Sequence, residues 1–217
     1  MMNKKDYKRI IISTLFCLVP ILFGLFVYND LPNQMPIHWD ANGTADGFAP
    51  KLIGIIALPL ILAIINVILQ IIVYYDPKRM NISGKMLSLI LYILPAFGCI
   101  IQTISLLNAL KFNIDMAVIA PLITGTLFIV VGNYLPKCKV NYTVGIRLPW
   151  TLSDEVNWSK THRLSGFLFV IVGILLVLNT LINLIHWVVL LMIATTIVLI
   201  VPSVYSFMLY KNSTKTS

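Results

Sequence analysis

Two short stretches hold most of the residues able to do chemistry. In residues 141–163, NYTVGIRLPWTLSDEVNWSKTHR, Asp154, Trp158 and His162 recur at four-residue steps, and Glu155, Ser159 and Arg163 would share the neighbouring face of a helix. In residues 29–51, NDLPNQMPIHWDANGTADGFAPK, His38, Trp39 and Asp40 are consecutive and Asp46 follows. A hydrolase would need a nucleophile, a histidine base and a carboxylate orienting it, and Ser159, Thr161, His162 and Asp154 supply the types. The spacing does not, because positions eight residues apart lie about 12 Å apart along a helix axis, too far for Asp154 to hold the His162 ring. His38 with Asp40 would form a base and its orienter with nothing to activate. No nucleophile elbow, HExxH or P-loop occurs, so no enzyme is expected. His38, Asp40 and Asp46 offer one imidazole and two spaced carboxylates, short of a metal-ligand pattern, so no metal or other cofactor is expected either. Recognition remains as the chemistry these residues can serve.

The rest of the chain shows what must position them. Of 217 residues 59% are hydrophobic and only 11% charged, with a mean hydropathy of +0.91, and the apolar residues come in long runs. Runs at 10–28, 52–75, 86–110, 116–135, 166–185 and 187–210 each approach or exceed the roughly 20 residues a helix needs to cross a bilayer. The expected fold is an all-α polytopic membrane protein of six transmembrane helices. Lys4, Lys5, Lys8 and Arg9 precede the first run as they would in a secretory signal. No small-x-small cleavage site follows it, so it reads as an uncleaved anchor.

Lysine and arginine set the sides. Fourteen of the 16 fall in alternate segments, namely the N-terminus, the connections at 76–85 and 136–165, and the tail. Lys51 and Lys111 alone lie on the other side. Both termini are therefore expected inside. The chain then divides into an N-terminus at 1–9, a helical pair at 10–85 with the extracellular loop 29–51, a pair at 86–135, a cytoplasmic segment at 136–165, a pair at 166–210 and a tail at 211–217. The formal charge of +8 is spent at span ends facing anionic lipid, and direct nucleic-acid binding is not expected. Cys17 and Cys99 fall inside spans and Cys138 in an inner connection, so free thiols are expected.

The outer connection, rich in Pro and Gly with Asn42-Gly43 as a turn, reads as a compact cap. It carries Asp30, Asp40 and Asp46 against Lys51, a surface suited to a cationic ligand or to resting at the headgroups. In the inner connection, Gly145 permits a tight bend, Pro149 keeps Leu148 extended, and Arg147 is presented between them. Thr151-Leu-Ser-Asp154 resembles a capping box, and a short helix is expected over 152–164. Trp150 and Trp158 would lie in the membrane interface, with Lys160 and Arg163 on phosphates, if the helix only rests on lipid. The shaped turn before it favours a specific structural or binding role.

Two blocks resemble a known family. GNYLPKCKVNYTVGIRLPWTLSDEVNWSKTHRLSG, residues 132–166, is similar to the signature of the SdpI-like immunity-protein family. LPNQMPIHWDANGTADGFAPK, residues 31–51, is similar to the small domain of unknown function that accompanies it. Leu148 stands where the family usually has Thr, and Ser165 replaces the first of two glycines. The resemblance implies a multi-pass protein of the bacterial cytoplasmic membrane that protects its host from a secreted peptide toxin, and that signals to a cytoplasmic repressor protein. It points to Asn141, Gly145, Arg147, Pro149, Trp150, Asp154, Trp158, His162 and Arg163 as the inner signature. Pro36, His38, Trp39, Asp40, Gly43 and Asp46 are its outward counterparts. Partners would be membrane lipids, the toxin and the repressor.

The main alternative is a transporter of a peptide or lipid. Coupled pumps carry ionisable groups in mid-membrane, and the spans as drawn hold none; their polar residues include Asn66, Gln70, Gln102, Asn108, Asn179 and Asn183. Prolines at 20, 59, 95, 121 and 202 interrupt five spans, as is common in membrane helices. The one Gly-x-x-x-Gly, from Gly43 to Gly47, lies in the outer loop and cannot be a helix-pairing motif.

Overall fold

The six apolar runs become six long helices in the computed structural model, which describes residues 4–213. The ends beyond, including Lys215 and most of the predicted tail, lie outside the described residues. The order is α1 (Lys4–Phe26), β1 (Gln34–Trp39), β2 (Ala45–Pro50), α2 (Lys51–Tyr74), α3 (Gly84–Ala109), α4 (Met116–Tyr134), α5 (Pro149–Ser153), α6 (Glu155–Ile182) and α7 (Trp187–Ser213). Among the described residues, six helices are long and apolar enough to cross a membrane. At most 28% of any of their most apolar windows is buried in the protein. Side chains such as Leu22, Phe26, Leu181 and Leu199 point outward, an arrangement suited to lipid rather than water. The chain is a multi-pass helical membrane protein. All five span prolines sit inside their helices.

The six long helices of the described residues group three and three. Among the described residues, one compact unit holds 4–75 and 87–117, the other 76–86 and 118–213.

In the first unit the 29–51 connection, expected outside, contains regular structure that its composition did not announce. β1 and β2 pair antiparallel, Met35 opposite Ala49 and Trp39 opposite Ala45, with irregularities around His38. The turn is closed by Asp40, whose Oδ1 accepts the amides of Asn42 (2.9 Å) and Thr44 (2.8 Å), and by Gly43 at φ +81°. Met35, buried completely, packs with Leu31, Ile55, Leu106 and Ala109, so the hairpin is seated on α2 and α3. The Ser105 hydroxyl donates to the Pro36 carbonyl (3.3 Å), and the Gln102 amide to that of Gly54 (2.9 Å). Between α1 and α2, the buried amides of Asn66 and Gln70 both donate to Ser13 Oγ, at 3.2 and 2.8 Å, and Tyr74 donates to Asp6 (2.6 Å).

In the second unit α4 and α6 run unusually close. A Cβ on Gly125 would stand 2.7 Å from the Gly173 carbonyl oxygen, and one on Gly132 would stand 2.8 Å from that of Gly166. The reciprocal contacts are equally short. Two antiparallel helices thus meet at paired glycines seven residues apart on each, a close approach that any side chain would prevent. Phe128 and Phe169 pack beside this seam, 5.2 Å between ring centroids, against Val172, Ala194 and Val198.

The helix expected over 152–164 is not separate. α5 is a single turn, and α6 runs unbroken from Glu155 into the span. The start also lies later than the Thr151 box predicted, because Asp154 caps α6, its Oδ1 accepting the amides of Val156 (2.8 Å) and Asn157 (3.2 Å). At the other end α6 closes on Asn183 in the left-handed region, φ +50°, so this residue is a helix cap rather than part of the span.

Candidate functional site

The signature segment expected on the inner side is built around a stacked pair. Trp158 and His162, one turn apart on α6, lie ring on ring with centroids 4.0 Å apart and 20° between planes. Trp158 is not an interfacial anchor: it is 2% exposed, and its Nε1 donates to the Cys138 carbonyl at 2.7 Å. His162 is fully buried. Its Nδ1 meets the Trp158 carbonyl at 2.8 Å, and its Nε2 meets the Ile146 amide at 2.9 Å. A carbonyl only accepts and an amide only donates, so the ring carries its proton on Nδ1 and is neutral. It acts as a two-ended brace, with no spare nitrogen for acid-base work.

The loop from 138 to 148 is laid over that pair. Gly145 adopts φ +114°, and a Cβ there would run into His162 Nε2 and stand 3.1 Å from the Trp158 ring. Asn141, fully buried, organises the turn before it: Oδ1 accepts the amides of Thr143 (2.9 Å) and Val144 (2.7 Å), and Nδ2 donates to the Lys139 carbonyl (2.8 Å). Leu148 is extended, as Pro149 requires. Thr151 Oγ1 accepts the Leu148 amide (2.9 Å), and its own proton serves the carbonyls of Ile146 (2.8 Å) and Leu148 (2.9 Å).

Other elements clamp the same loop. Asp76, buried just after α2, accepts the Tyr142 amide (2.8 Å) and the Thr143 hydroxyl (2.5 Å) through Oδ2, and the Lys78 amide (2.7 Å) through Oδ1. Asn81 donates to the Val140 carbonyl at 2.6 Å. On the far side of α6, buried Asn157 donates to the Ser206 carbonyl of α7 and accepts the Ser206 hydroxyl, and Trp150 packs on Phe207 and Tyr210. The connections at 76–85 and 136–154 and the last turns of α7 therefore sit together, as their shared basic character suggested.

The predicted inner residues thus divide into a frame and a face. Asn141, Gly145, Trp158 and His162 meet in the frame, Pro149 and Asp154 start helices, and Trp150 joins α5 to α7. Arg147 and Arg163 remain exposed. Arg147 Nη1 donates to the Tyr142 carbonyl (2.5 Å), a single bond that holds the guanidinium at the surface. Burial pushes the Cys138 thiol above its ordinary pKa, with the Asn141 amide acting in the opposite direction. Asp76, Asn157 and Ser206 were not anticipated, and Thr151, read as part of a capping box, instead bonds back to Ile146 and Leu148. Asp76-Pro77 ahead of a basic turn, on the side already assigned to the signature, was the readable hint.

The outer residues divide in the same way. Pro36, Asp40 and Gly43 build the hairpin, and a Cβ on Gly43 would stand 2.7 Å from the Ala117 amide. Trp39 is half-buried. His38 and Asp46 pair across the strands at 2.5 Å with side chains 71% and 48% exposed. With Asp40 occupied by its own turn, the suspected trio of ligands does not converge. Among the described residues no three His, Cys, Asp or Glu side chains come together.

Comparison with known proteins falls on both built regions. Residues 137–206, which contain the signature loop, α6 and most of α7, match the SdpI/YfhL protein family. Residues 15–63, which contain the hairpin, match a domain of unknown function, DUF1648. The chain is also similar to the immunity protein SdpI of Bacillus subtilis strain 168, with 23% identity over 208 residues that cover 94% of this chain and 97% of that protein. No solved structure matches. The resemblance expected from the two quoted blocks is borne out.

Proposed function

We propose, from the premise that this is an SdpI-family chain preceded by a DUF1648 segment, that it is an immunity protein of the bacterial cytoplasmic membrane protecting its host from a secreted antimicrobial peptide. End-to-end similarity to a curated immunity protein carries this reading. The fold supplies two surfaces fitted to it. The hairpin offers an acidic and apolar outer face, with the His38–Asp46 pair beside exposed Ile37 and Phe48. That face suits a cationic amphipathic peptide, and no catalytic constellation stands there to cleave one.

The inner signature is the surface from which a signal to a cytoplasmic repressor would be read. A loop that only touched lipid would not need the buried frame of Asn141, Asp76, Thr151, Trp158 and His162. That frame holds Arg147 at the surface in one place. Replacing Arg147 by Lys keeps the charge and loses the planar fork. Repressor recruitment, followed by membrane localisation of a tagged repressor from the same host, should fail in Arg147→Lys while peptide protection persists. Recruitment at the parent's level by both Arg147→Lys and Arg147→Ala would remove Arg147 from the signalling surface. Protection itself is tested by expressing the chain in a peptide-sensitive Gram-positive host and measuring survival and the fate of the peptide. Recovery of cleaved peptide would argue for an enzyme, and energy-dependent clearance for a transporter.

A further inference from the structure

Beside the signature loop lies a cleft of about 580 Å³ that the immunity reading does not use. Its lining includes Asn81, Lys137, Lys139, Glu155, Trp158 and Ser159. Its size is that of a small-molecule site rather than of a protein interface. Its place in the sequence fixes its depth. Lys137 ends the span Met116–Lys137, and Glu155 opens the span Glu155–Ile182. The first span has 22 residues and rises about 33 Å, close to the thickness of the hydrocarbon, and the second has 28 and rises about 42 Å, so a cleft between Lys137 and Glu155 lies at and just beyond the edge of the hydrocarbon, at the level of the lipid headgroups.

The charges decide the occupant. Lys137, whose ammonium lies 5.1 Å from the Tyr134 ring centroid, and Lys139 make two basic residues of the lining, and basic pockets between helix ends are where anionic headgroups settle. Glu155 opposes a bare anion at the same site, since a second carboxylate-like charge beside it would be repelled. A ligand carrying a phosphodiester for the lysines and hydrogen-bond donors at its far end for Glu155 and Ser159 satisfies both. Two walls are held for it: Trp158 is fixed by its bond to the Cys138 carbonyl and Asn81 by its bond to the Val140 carbonyl.

We propose that this cleft binds the headgroup of a membrane phospholipid whose phosphodiester ends in a donor, as in phosphatidylethanolamine and phosphatidylglycerol. The phosphate sits against Lys137 and Lys139, and the terminal ammonium or diol against Glu155. This site is independent of the peptide-facing hairpin. It would make lipid composition a factor in how the signature loop is held, because Lys139 and Val140 belong to both.

Native mass spectrometry of the full-length purified protein, titrated with phosphatidylethanolamine, phosphatidylglycerol and phosphatidylcholine of identical acyl chains, tests the proposal. The first two should be retained about tenfold better than phosphatidylcholine, the difference expected from one charge-assisted hydrogen bond. Lys137→Gln combined with Lys139→Gln should abolish that retention, and Glu155→Gln should remove the preference over phosphatidylcholine while phosphate contact persists. Lys85→Gln, a basic change outside the cleft, should alter neither. Monodisperse variants that keep the wild-type preference would overturn the proposal, as would equal retention of all three lipids or saturation of the cleft by inorganic phosphate with no lipid preference.

Discussion

His162 Nε2 accepts the backbone amide of Ile146 at 2.9 Å, sixteen residues upstream, while its Nδ1 is held by the Trp158 carbonyl. The histidine in the signature is therefore a structural brace. Gly145, next to Ile146, is required to be glycine by its positive φ and by the imidazole against it.

Gly145→Ala should cost about 2–4 kcal/mol, combining strain at positive φ with overpacking against a fixed ring. His162→Phe keeps the stack but orphans the Ile146 amide, and should cost about 1–3 kcal/mol. Unfolding of the purified protein in mild detergent measures both, and hydrogen exchange at Ile146 should rise sharply in the second. Variants within about 0.5 kcal/mol of the parent, the usual range of surface changes, would contradict the brace.

Asp76 should matter as much as any residue inside the signature. Asp76→Ala removes a carboxylate that accepts three hydrogen bonds, and should cost about 2–3 kcal/mol while opening residues 139–147 to trypsin. Unchanged cleavage at Lys139 and Arg147 would show that the loop stands without its clamp.

The glycine seam gives a graded series. Gly125→Ala, Gly132→Ala and Gly173→Ala should each destabilise by about 1–3 kcal/mol, since every added methyl meets backbone on the opposite helix. Gly84→Ala is the control: a Cβ there meets nothing within 4 Å, and its effect should lie between neutral and about 1 kcal/mol stabilising. Equal effects at all four positions would contradict the close approach of α4 and α6.

Sidedness needs reporters other than the native thiol. Cys138 is 7% exposed and its thiol pKa is raised by burial, so it should resist maleimide whichever face it is on. In a cysteine-free background, Asn42→Cys should be labelled in intact cells by an impermeant reagent, and Ser159→Cys only after permeabilisation. The reverse pattern would invert the assignment of both surfaces.

The six spans were legible because hydrocarbon thickness imposes one length on every crossing helix, and runs such as 52–75 satisfy it without ambiguity. The bend at Gly145 and the extension of Leu148 were legible because Gly and Pro act on the backbone locally. The Thr151 box misled because a hydroxyl followed by Asp154 fits two helix starts one turn apart, and Thr151 turns its hydroxyl back onto the carbonyls of Ile146 and Leu148 and leaves Asp154 to cap the long helix. The hairpin was hidden for a similar reason: its short strands carry Pro36, Gly47 and Pro50, and Met35 becomes a strand residue only when α2 and α3 receive it. The glycine seam was visible in principle, since 125/132 and 166/173 share a seven-residue spacing, but a search for Gly-x-x-x-Gly passes over it. Roles shifted most where polar side chains bond locally, as when Asp40 turned from a candidate ligand into the closure of its own turn.

The central claim is that the chain protects a cell by engaging a secreted peptide at the outer hairpin. The direct measurement is survival of a peptide-sensitive Gram-positive host expressing either the parent chain or hairpin variants with equal membrane levels, challenged with secreted antimicrobial peptides. Protection should be present with the parent and reduced about tenfold or more by His38→Ala with Asp46→Asn, which removes the exposed pair, about 1.4 kcal/mol of binding for each factor of ten. The peptide should be recovered intact and bound to the cells. Full protection by that double variant would contradict the placement of the site, and no protection by the parent against any peptide tested would contradict the function.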